Sequence, residues 1–136
     1  MAKRKVLSDT TGLTQLGTPT AGPSRQLEAF PFKHRNTTKV TFHCEEFTCH
    51  CPLTGQPDYA RIKIEYIPHE RALESKSLKH YLWSFRDVGV FHEDLTNVLL
   101  DELFKFLQPR WLKVTTHFAI RGGISIDVEA ERREGE

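Results

Sequence analysis

The stretch ARIKIEY, at positions 60–66, alternates apolar or aromatic residues with charged ones along its whole length. Strict alternation is typical of a β-strand with one face buried and one face in water. Pro68 follows and ends the strand, since proline cannot donate to a sheet ladder. The stretch VTFHCE, at positions 40–45, alternates in the same way and is separated from the first by a loop rich in proline and glycine. The two stretches predict neighbouring strands.

Helical spacing replaces the alternation beyond Pro68. A first helix is predicted to end at Gly89, and its apolar stripe consists of Leu78, Tyr81, Leu82 and Phe85. A second helix is predicted to begin near His92, where the acids that follow suit the positive N-terminal end of a helix. Its stripe consists of Leu95, Val98, Leu99, Leu103, Phe106 and Leu107, with Pro109 just beyond its end.

Two more alternating stretches, at 112–120 and 124–128, follow the helices and are joined by Arg121, Gly122 and Gly123. The order is therefore strand, strand, helix, helix, strand, strand. This order predicts an α+β fold, with a mostly antiparallel four-stranded sheet and both helices on one face. Sheet edges are usually paired or covered, so we expect sheets to join between subunits.

The chain of 136 residues divides into three predicted parts. Residues 1–26 are rich in Thr, Gly, Pro and Ser, which predicts a flexible N-terminal arm. Residues 27–130 are expected to form a single domain, since a chain of this length buries roughly two-thirds of its extended-chain surface. Residues 131–136 form a charged tail, and we expect the chain to fray from Glu129 onwards.

Charge, hydropathy and cysteine count indicate which partners the protein binds and in which compartment it lies. The formal net charge is +1, so nothing indicates non-specific binding to nucleic acid. No apolar run approaches the roughly 20 residues of a membrane span, and the N-terminus lacks the apolar core of a signal peptide. An odd number of cysteines argues against a disulfide framework. We therefore expect a cytoplasmic protein that binds neither nucleic acid nor membrane.

Cys51 and Asp58 stand on the loop between the first two predicted strands and could carry chemistry. A cysteine is a good nucleophile even when mostly protonated, although burial in a structural role is also common. Asp58 could donate a proton to a substrate or simply cap a turn. Cys44 fits a structural role on the apolar face of the first strand, and Cys49 fits either role.

Two sets of side chains could bind a metal or an anion. Zinc-ligand types crowd into one stretch, though without a CxxC pair; they are His43, Cys44, Cys49, His50 and Cys51. Lys76 and Lys79 lie on one side of a helix start, and Arg121 precedes two glycines. These three could bind phosphate groups, or they could form ordinary solvated surface.

Carboxylates at the helix starts could recognise a ligand. Glu74 and Glu93 could each accept two parallel N–H donors, or they could be solvated acids. His92 could be a core or interface histidine, or a ligand contact. No glycine-rich fingerprint follows a strand, so a nicotinamide cofactor would not lie in a Rossmann unit.

Four motifs stand in order along the chain: FTCHCPLTGQPD (47–58), ESKSLKHYL (74–82), FHED (91–94) and RGGISI (121–126). Between about Leu13 and Asp127, the chain resembles the short, single-module family of NADPH-dependent 7-cyano-7-deazaguanine reductases, the nitrile reductases of queuosine biosynthesis. The resemblance implies the tunnelling fold that this family shares with GTP cyclohydrolase I. It also implies ring-like homo-oligomers, as two stacked pentamers that form a barrel, with active sites between subunits.

The resemblance implies roles for particular residues. Cys51 matches the nucleophile and Asp58 the proton donor, and no metal is required. The matched substrate-binding positions are Leu73, Glu74, Ser75, His92 and Glu93. The matched cofactor-phosphate contacts are Lys76, Lys79 and Arg121. The chain departs from the family's pattern at Cys49, where a non-thiol residue is expected, and at Ile120, where proline is expected; the first departure leaves the redox behaviour of the loop open.

The implied reaction is reduction of a nitrile to a primary amine. Addition of the Cys51 thiolate to the nitrile carbon, with a proton from Asp58 to nitrogen, gives a covalent thioimide. Hydride from NADPH reduces the thioimide carbon, the Cys51 thiol departs and leaves an imine, and a second NADPH reduces the imine to the amine. Two rival hypotheses are a zinc-dependent, GTP cyclohydrolase-like enzyme on the same fold and a non-catalytic interaction module.

Overall fold

The computed structural model describes residues 5–17 and 22–136. Its elements are β1 (Ala29–Pro31), β2 (Val40–His50), β3 (Pro57–Ile67), β4 (Arg71–Leu73), α1 (Ser75–Trp83), α2 (His92–Leu107), β5 (Trp111–Arg121) and β6 (Ile124–Arg133). The predicted α+β class and the order of the four long strands and two helices are confirmed. The short strands β1 and β4 were not predicted, because three residues are too few to show a period.

The four long strands form one antiparallel sheet in the order β2-β3-β5-β6. β1 and β4 form a separate antiparallel pair, in which Phe30 lies opposite Ala72. Helix α2 packs on β5 and β6, and α1 lies against β2. Both helices therefore cover one face of the sheet, and the core lies between, with Ile64 and Val114 paired at its centre and both fully buried.

The buried arc of α2 differs from the predicted stripe at Thr96, Val98 and Leu100. Leu100 was not predicted to face inwards, yet it is buried. Val98 was predicted to face inwards, yet it is exposed. Residues three and four apart share a helix face, and Leu100 shares its face with the buried Thr96 and Leu103. Val98 lies at the edge of the arc that turns towards water.

A β-bulge in β2 reverses which residues face the core. The register with β3 shifts between Cys44 and Phe47. Before the bulge the even-numbered residues turn towards the helices, and after it Phe47 and Cys49 do, both of them buried. An extra residue in one strand shifts the alternation by one, which places Cys49 in the core and answers the question that the sequence left open.

The turn between β5 and β6 is a two-residue hairpin loop. Gly122 and Gly123 have φ values of 58° and 79°, a left-handed pair that glycine adopts without steric cost. The loop lets Arg121 pair with Ile124. From there β6 continues to Arg133 opposite Trp111, so the expectation that the chain frays from Glu129 is wrong for this part of the tail.

The N-terminal segment contacts the domain through Glu28. The backbone N–H groups of Thr14 and Gln15 donate to the Glu28 carboxylate, and the side chain of Gln15 bonds His80 at 2.8 Å. Residues 1–4 and 18–21 of the predicted arm lie outside the described residues, and the division into 1–26, 27–130 and 131–136 stays a prediction. Within the described ranges, neither helix is long and apolar enough to cross a membrane.

Candidate active site

Asp58 lies at the start of β3, on the face that the helices cover. It faces the same side of the sheet as Ala60 and Ile62, and only 3% of its surface is exposed. Two basic side chains reach its carboxylate: His92, with Nε2 at 3.2 Å from Oδ2, and Arg121, whose Nη1 ion-pairs with Oδ1. A buried carboxylate requires such partners, because an unpaired buried charge is costly.

His92 is held as the first residue of α2. Its ring stacks on Phe118 of β5, with the ring centroids 3.6 Å apart and the planes inclined by 3°. The stacking fixes the direction in which Nε2 points. Because a carboxylate oxygen only accepts hydrogen bonds, the Nε2–H of His92 donates to Asp58.

Arg121 joins Asp58 to the loop that carries Cys51. Its Nη1 contacts the carboxylate, and its Nη2 donates to Gln56 Oε1 at 3.0 Å. A cavity of about 560 Å³ opens beside this cluster, lined by His92, Arg121 and the hairpin that joins β5 to β6. The sequence predicted a cofactor-phosphate contact at Arg121; the structure pairs the guanidinium with the predicted proton donor, and the phosphate contact stays a prediction.

Cys51 follows β2 directly and begins a closed loop. Its N–H donates to the Gln56 carbonyl at 2.9 Å, and its carbonyl accepts from the Gly55 N–H at 3.0 Å. Hydrogen bonds from the hydroxyl and N–H of Thr54, and from the N–H of Leu53, lower the pKa of the thiol, and the charge of Arg121 acts in the same direction. A lowered pKa raises the thiolate fraction, and the thiolate is the nucleophilic form.

Cys49 has the opposite environment. It is fully buried and lies opposite Asp58 in the β2–β3 register. Burial, with a smaller contribution from the charge of Asp58, raises the pKa of its thiol to about 11. The thiol therefore stays protonated at neutral pH and packs as a small apolar group.

The proposed zinc-ligand types do not converge. His43 and Cys44 are neighbours on β2, so their side chains leave opposite faces of the sheet, and burial raises the pKa of the Cys44 thiol. Cys49 lies in the core, and His50 ends β2 with its ring against the Gly55 carbonyl. Among residues 5–17 and 22–136, no group of three or more His, Cys, Asp or Glu side chains is placed to hold a metal ion.

The residues around the start of α1 form a second cluster. Leu73 is buried, and its N–H donates to the hydroxyl of Tyr66 at 2.8 Å. Glu74 is buried as the N-cap of α1, where its carboxylate accepts the N–H groups of Lys76 and Ser77, each at 2.8 Å. The sequence suggested a solvated acid as the alternative role of Glu74; the structure shows a buried capping acid instead.

The remaining predicted site residues lie in the first two turns of α1 and α2. Ser75 and Lys79 are exposed and line a cavity of about 550 Å³ between α1 and β2, and Lys76 is half-buried nearby on the same helix. Glu93 is exposed in the first turn of α2, beside His92. The cavity beside α1 is lined by neither Asp58 nor His92, so the described chain holds two separate clusters.

Three residues that contact Cys51, Arg121 or His92 were not singled out from the sequence: Thr54, Gln56 and Phe118. Phe118 was recognised only as part of an alternating stretch. Phe118 lies an even number of residues from Val114, so the alternation already places both on the core face. Its stacking on a histidine from another element cannot be read from the sequence around Phe118. Thr54 and Gln56 lay within a quoted motif.

Comparison with known proteins identifies close relatives. The family described as QueF-like protein matches residues 57–136. The chain is 53% identical over 135 residues to the NADPH-dependent 7-cyano-7-deazaguanine reductase of Syntrophus aciditrophicus strain SB, covering 98% of this chain and 96% of the relative. It is also 53% identical over 113 residues to the enzyme of the same name from Anaeromyxobacter dehalogenans strain 2CP-C, covering 82% and 93%.

A solved structure agrees with the fold. The apo form of the archaeosine synthase QueF-Like matches with a TM-score of 0.63 and 25% sequence identity. The match covers 73% of this chain and 95% of that one. A protein that shares only a quarter of its sequence with this chain therefore has a similar fold.

Proposed function

Because this chain belongs to the family of QueF-like proteins, we propose that it reduces the nitrile 7-cyano-7-deazaguanine to the amine 7-aminomethyl-7-deazaguanine with NADPH, in queuosine biosynthesis. One observation carries the proposal: 53% identity over nearly the full length to a relative that is named for this activity. The placement of Cys51, Asp58 and His92 supports it, since a nucleophile and a proton donor are what addition to a nitrile requires. The names of the relatives do not favour the cyclohydrolase or the interaction module.

The first step is addition of the Cys51 thiolate to the nitrile carbon. The sulfur forms a bond to carbon, and one π-bond of the nitrile becomes an electron pair on nitrogen, which takes a proton. The hydrogen bonds from Thr54 and the charge of Arg121 lower the pKa of the thiol, so the thiolate fraction is larger than that of an ordinary cysteine. The product is a thioimide attached to Cys51.

Asp58 and His92 handle the proton for this step. His92 donates through Nε2 to Asp58 Oδ2 at 3.2 Å, and Phe118 holds its ring in place. Asp58 in its carboxylic acid form gives its proton to the nitrile nitrogen, and the carboxylate that results accepts hydrogen bonds from His92 and Arg121. Positioned proton transfer of this kind accelerates a reaction by roughly 100- to 10,000-fold.

Ordinary hydrogen-bonding chemistry accounts for the proposed recognition of the base. The exposed Glu93 carboxylate can accept two parallel N–H groups from the pyrimidine edge of a deazaguanine. Glu74 already accepts two backbone N–H groups, and a carboxylate retains further lone pairs for a ligand. The side chain of Leu73 is buried, and its N–H donates to the hydroxyl of Tyr66; its contact with substrate stays a prediction.

The residues on α1 fit a phosphate-bearing cofactor. Lys79 is exposed at a cavity of about 550 Å³ that Ser75 and Arg86 also line, and Lys76 lies one turn earlier. These cations suit phosphate oxygens, and Arg121 is proposed as the third contact. Bound NADPH supplies a hydride for each of the two reductions, and exclusion of water by the closed site protects the intermediate imine from hydrolysis.

The two clusters are proposed to complete one site between subunits. In the single chain, the cavity of Ser75 and Lys79 and the cavity of His92 and Arg121 are lined by different residues. The sheet ends in the long strands β2 and β6, whose outer edges can pair with another copy. We propose a ring-shaped homo-oligomer, as two stacked pentamers, and light scattering of the purified protein tests it directly.

The compartment and the partners follow from the chemistry. Cys51 must remain a free thiol, and all three cysteines are free in the structure. A reducing compartment maintains such thiols, so we propose a cytoplasmic enzyme whose partners are its small-molecule substrate and other copies of itself, with neither nucleic acid nor membrane.

The deciding experiment mixes purified protein with 7-cyano-7-deazaguanine and NADPH under reducing conditions. The expected result is oxidation of two NADPH per nitrile, with the amine identified by mass spectrometry. Absence of oxidation by reduced, folded protein would overturn the proposed function. Activity that persists after exhaustive treatment with a chelator is also expected, and its loss would favour the zinc-dependent alternative.

A further inference from the structure

His50 is the last residue of β2 and directly precedes Cys51, and its ring contacts the Cys51 loop. Nδ1 lies 2.8 Å from the carbonyl oxygen of Gly55, and Nε2 lies 3.7 Å from Asp87 Oδ1. The side chain is 31% exposed. Because a carbonyl only accepts, the ring carries a hydrogen on Nδ1 and donates it to Gly55.

The backbone of His50 is fixed from the other side. Its N–H donates to the Val88 carbonyl at 2.9 Å, and its carbonyl accepts from the Val90 N–H at 3.0 Å. Gly89, between these two valines, packs so closely on the loop that an added Cβ would lie 3.1 Å from Pro52 Cα. The ring of His50 thus extends from an anchored backbone.

Both backbone polar groups of Gly55 are hydrogen-bonded within this loop. Its N–H donates to the Cys51 carbonyl at 3.0 Å, while its carbonyl accepts from His50. Thr54 immediately precedes it and donates to the Cys51 sulfur from its hydroxyl and its N–H. The Gly55 carbonyl and the Gln56 N–H belong to one peptide group, and this N–H donates to the Thr54 hydroxyl oxygen at 3.3 Å. Rotation of that peptide group would break its hydrogen bond to Thr54.

We propose that His50 is a positioning residue for the nucleophile, whose ring holds the Gly55 carbonyl and thereby keeps Thr54 directed at the Cys51 sulfur. The inference rests on the proposed function only in naming addition to a nitrile as the reaction that Cys51 carries out. His50 itself touches neither sulfur nor substrate in this arrangement. Its contribution acts entirely through the shape of residues 51–56.

Three substitutions separate the hydrogen bond from the volume of the ring. His50→Leu keeps most of the volume and removes the donor. His50→Asn places an amide N–H near the position of Nδ1, and His50→Gln places it near the position of Nε2. His69→Leu is a matched control, because His69 is a half-exposed histidine whose ring approaches Glu134 instead.

The primary measurement is the rate of alkylation of Cys51 by iodoacetamide as a function of pH, read from the mass of the Cys51 peptide. It needs neither nitrile nor NADPH, so it remains informative if the proposed function fails. For His50→Leu we expect a profile shifted to higher pH and a rate at pH 7 lower by roughly three- to tenfold, the range expected for loss of one hydrogen bond. The geometry is supported if His50→Asn restores the alkylation rate and His50→Gln reacts as slowly as His50→Leu.

A second measurement follows formation of the covalent adduct with 7-cyano-7-deazaguanine by intact mass. The same ranking of the three variants is expected, with the KM for NADPH unchanged. The inference is overturned if His50→Leu leaves the alkylation profile unchanged, or if all three variants shift it equally. If His50→Leu fails to fold, the contrast between His50→Asn and His50→Gln decides alone, and equal profiles in those two overturn it.

Discussion

Cys49 and Cys51 lie two residues apart in the sequence, and their surroundings drive them in opposite directions. Cys49 is fully buried, opposite a buried carboxylate, and its thiol has a pKa raised to about 11. Cys51 is half-buried on a turn, where hydrogen bonds from Thr54 lower the pKa of its thiol. The same side chain packs as a small apolar group in the first position, and in the second we propose it as the nucleophile.

The difference arises from where β2 ends. Cys49 is still paired with β3, so the sheet ladder satisfies its backbone and the core encloses its sulfur. Cys51 lies just beyond the strand, and backbone N–H groups of the turn are free to point at its sulfur. Reactivity of a cysteine is therefore a property of its local backbone and charges.

The largest expected effect is that of Cys51→Ala. Incubation with 7-cyano-7-deazaguanine in the absence of NADPH should add one substrate per subunit to the unaltered protein, since thiol addition needs no hydride. Cys51→Ala should abolish both this adduct in intact-mass measurements and the oxidation of NADPH. An adduct that persists in Cys51→Ala but disappears in Cys49→Ala would show that the nucleophile has been assigned two residues too late.

The next effect is that of Asp58→Asn. The amide cannot supply the proton that the nitrile nitrogen takes, so adduct formation should slow by roughly 100- to 10,000-fold. Stopped-flow or quenched intact-mass kinetics would measure it. Asp101→Asn is a matched control, because Asp101 also pairs with an arginine, Arg132, at 3.1 Å but is exposed; an equal slowing in both variants would contradict the role of Asp58.

A smaller effect is expected for Thr54→Val, which keeps the shape of the side chain and removes its hydroxyl. The hydroxyl stabilises the thiolate, so its loss should raise the pKa of Cys51. The rate of alkylation rises with pH as thiolate forms, and the whole profile should therefore move to higher pH, with a several-fold loss of rate at pH 7. Thr38→Val removes a hydroxyl that bonds Asn36 and should leave the profile in place.

The smallest effect on chemistry is expected for Cys49→Ala. Adduct formation and turnover should stay within about twofold, because the buried thiol is protonated and packs against the core. Removal of a buried sulfur should instead lower the free energy of unfolding by about 1 kcal/mol, measured by urea denaturation. If Cys49→Ala lost the adduct while its stability stayed unchanged, Cys49 rather than Cys51 would be the reactive cysteine.

Much of the fold could be predicted from alternation and helical spacing alone. The four long strands and both helices were located because each buries one face, and a buried face leaves a period in the sequence. The same reasoning failed at Val98 and Leu100, since the helix period defines a stripe but not which flank of the stripe the sheet covers. It also missed β1 and β4, which are too short to show a period.

The candidate site was predicted in part. The motif around Cys51 and Asp58 was visible as residue types in order, and the parity of β3 places Asp58 on the core face. The ion pair with Arg121 and the stacking of His92 on Phe118 were not visible, because each joins residues more than twenty positions apart. The roles of the substrate and cofactor residues stay predictions.

The sequence by itself determined the order of the elements, the residue types available for catalysis and the resemblance to a family, because periodicity and motifs are written locally along the chain. Only the tertiary structure decided which cysteine is buried and what surrounds each charge. The bulge between Cys44 and Phe47 moves the alternation by one residue, and a shift of one residue exchanges the two faces of a strand. Charges act through space, so the surroundings of Asp58 and Cys51 exist only once distant segments have packed together.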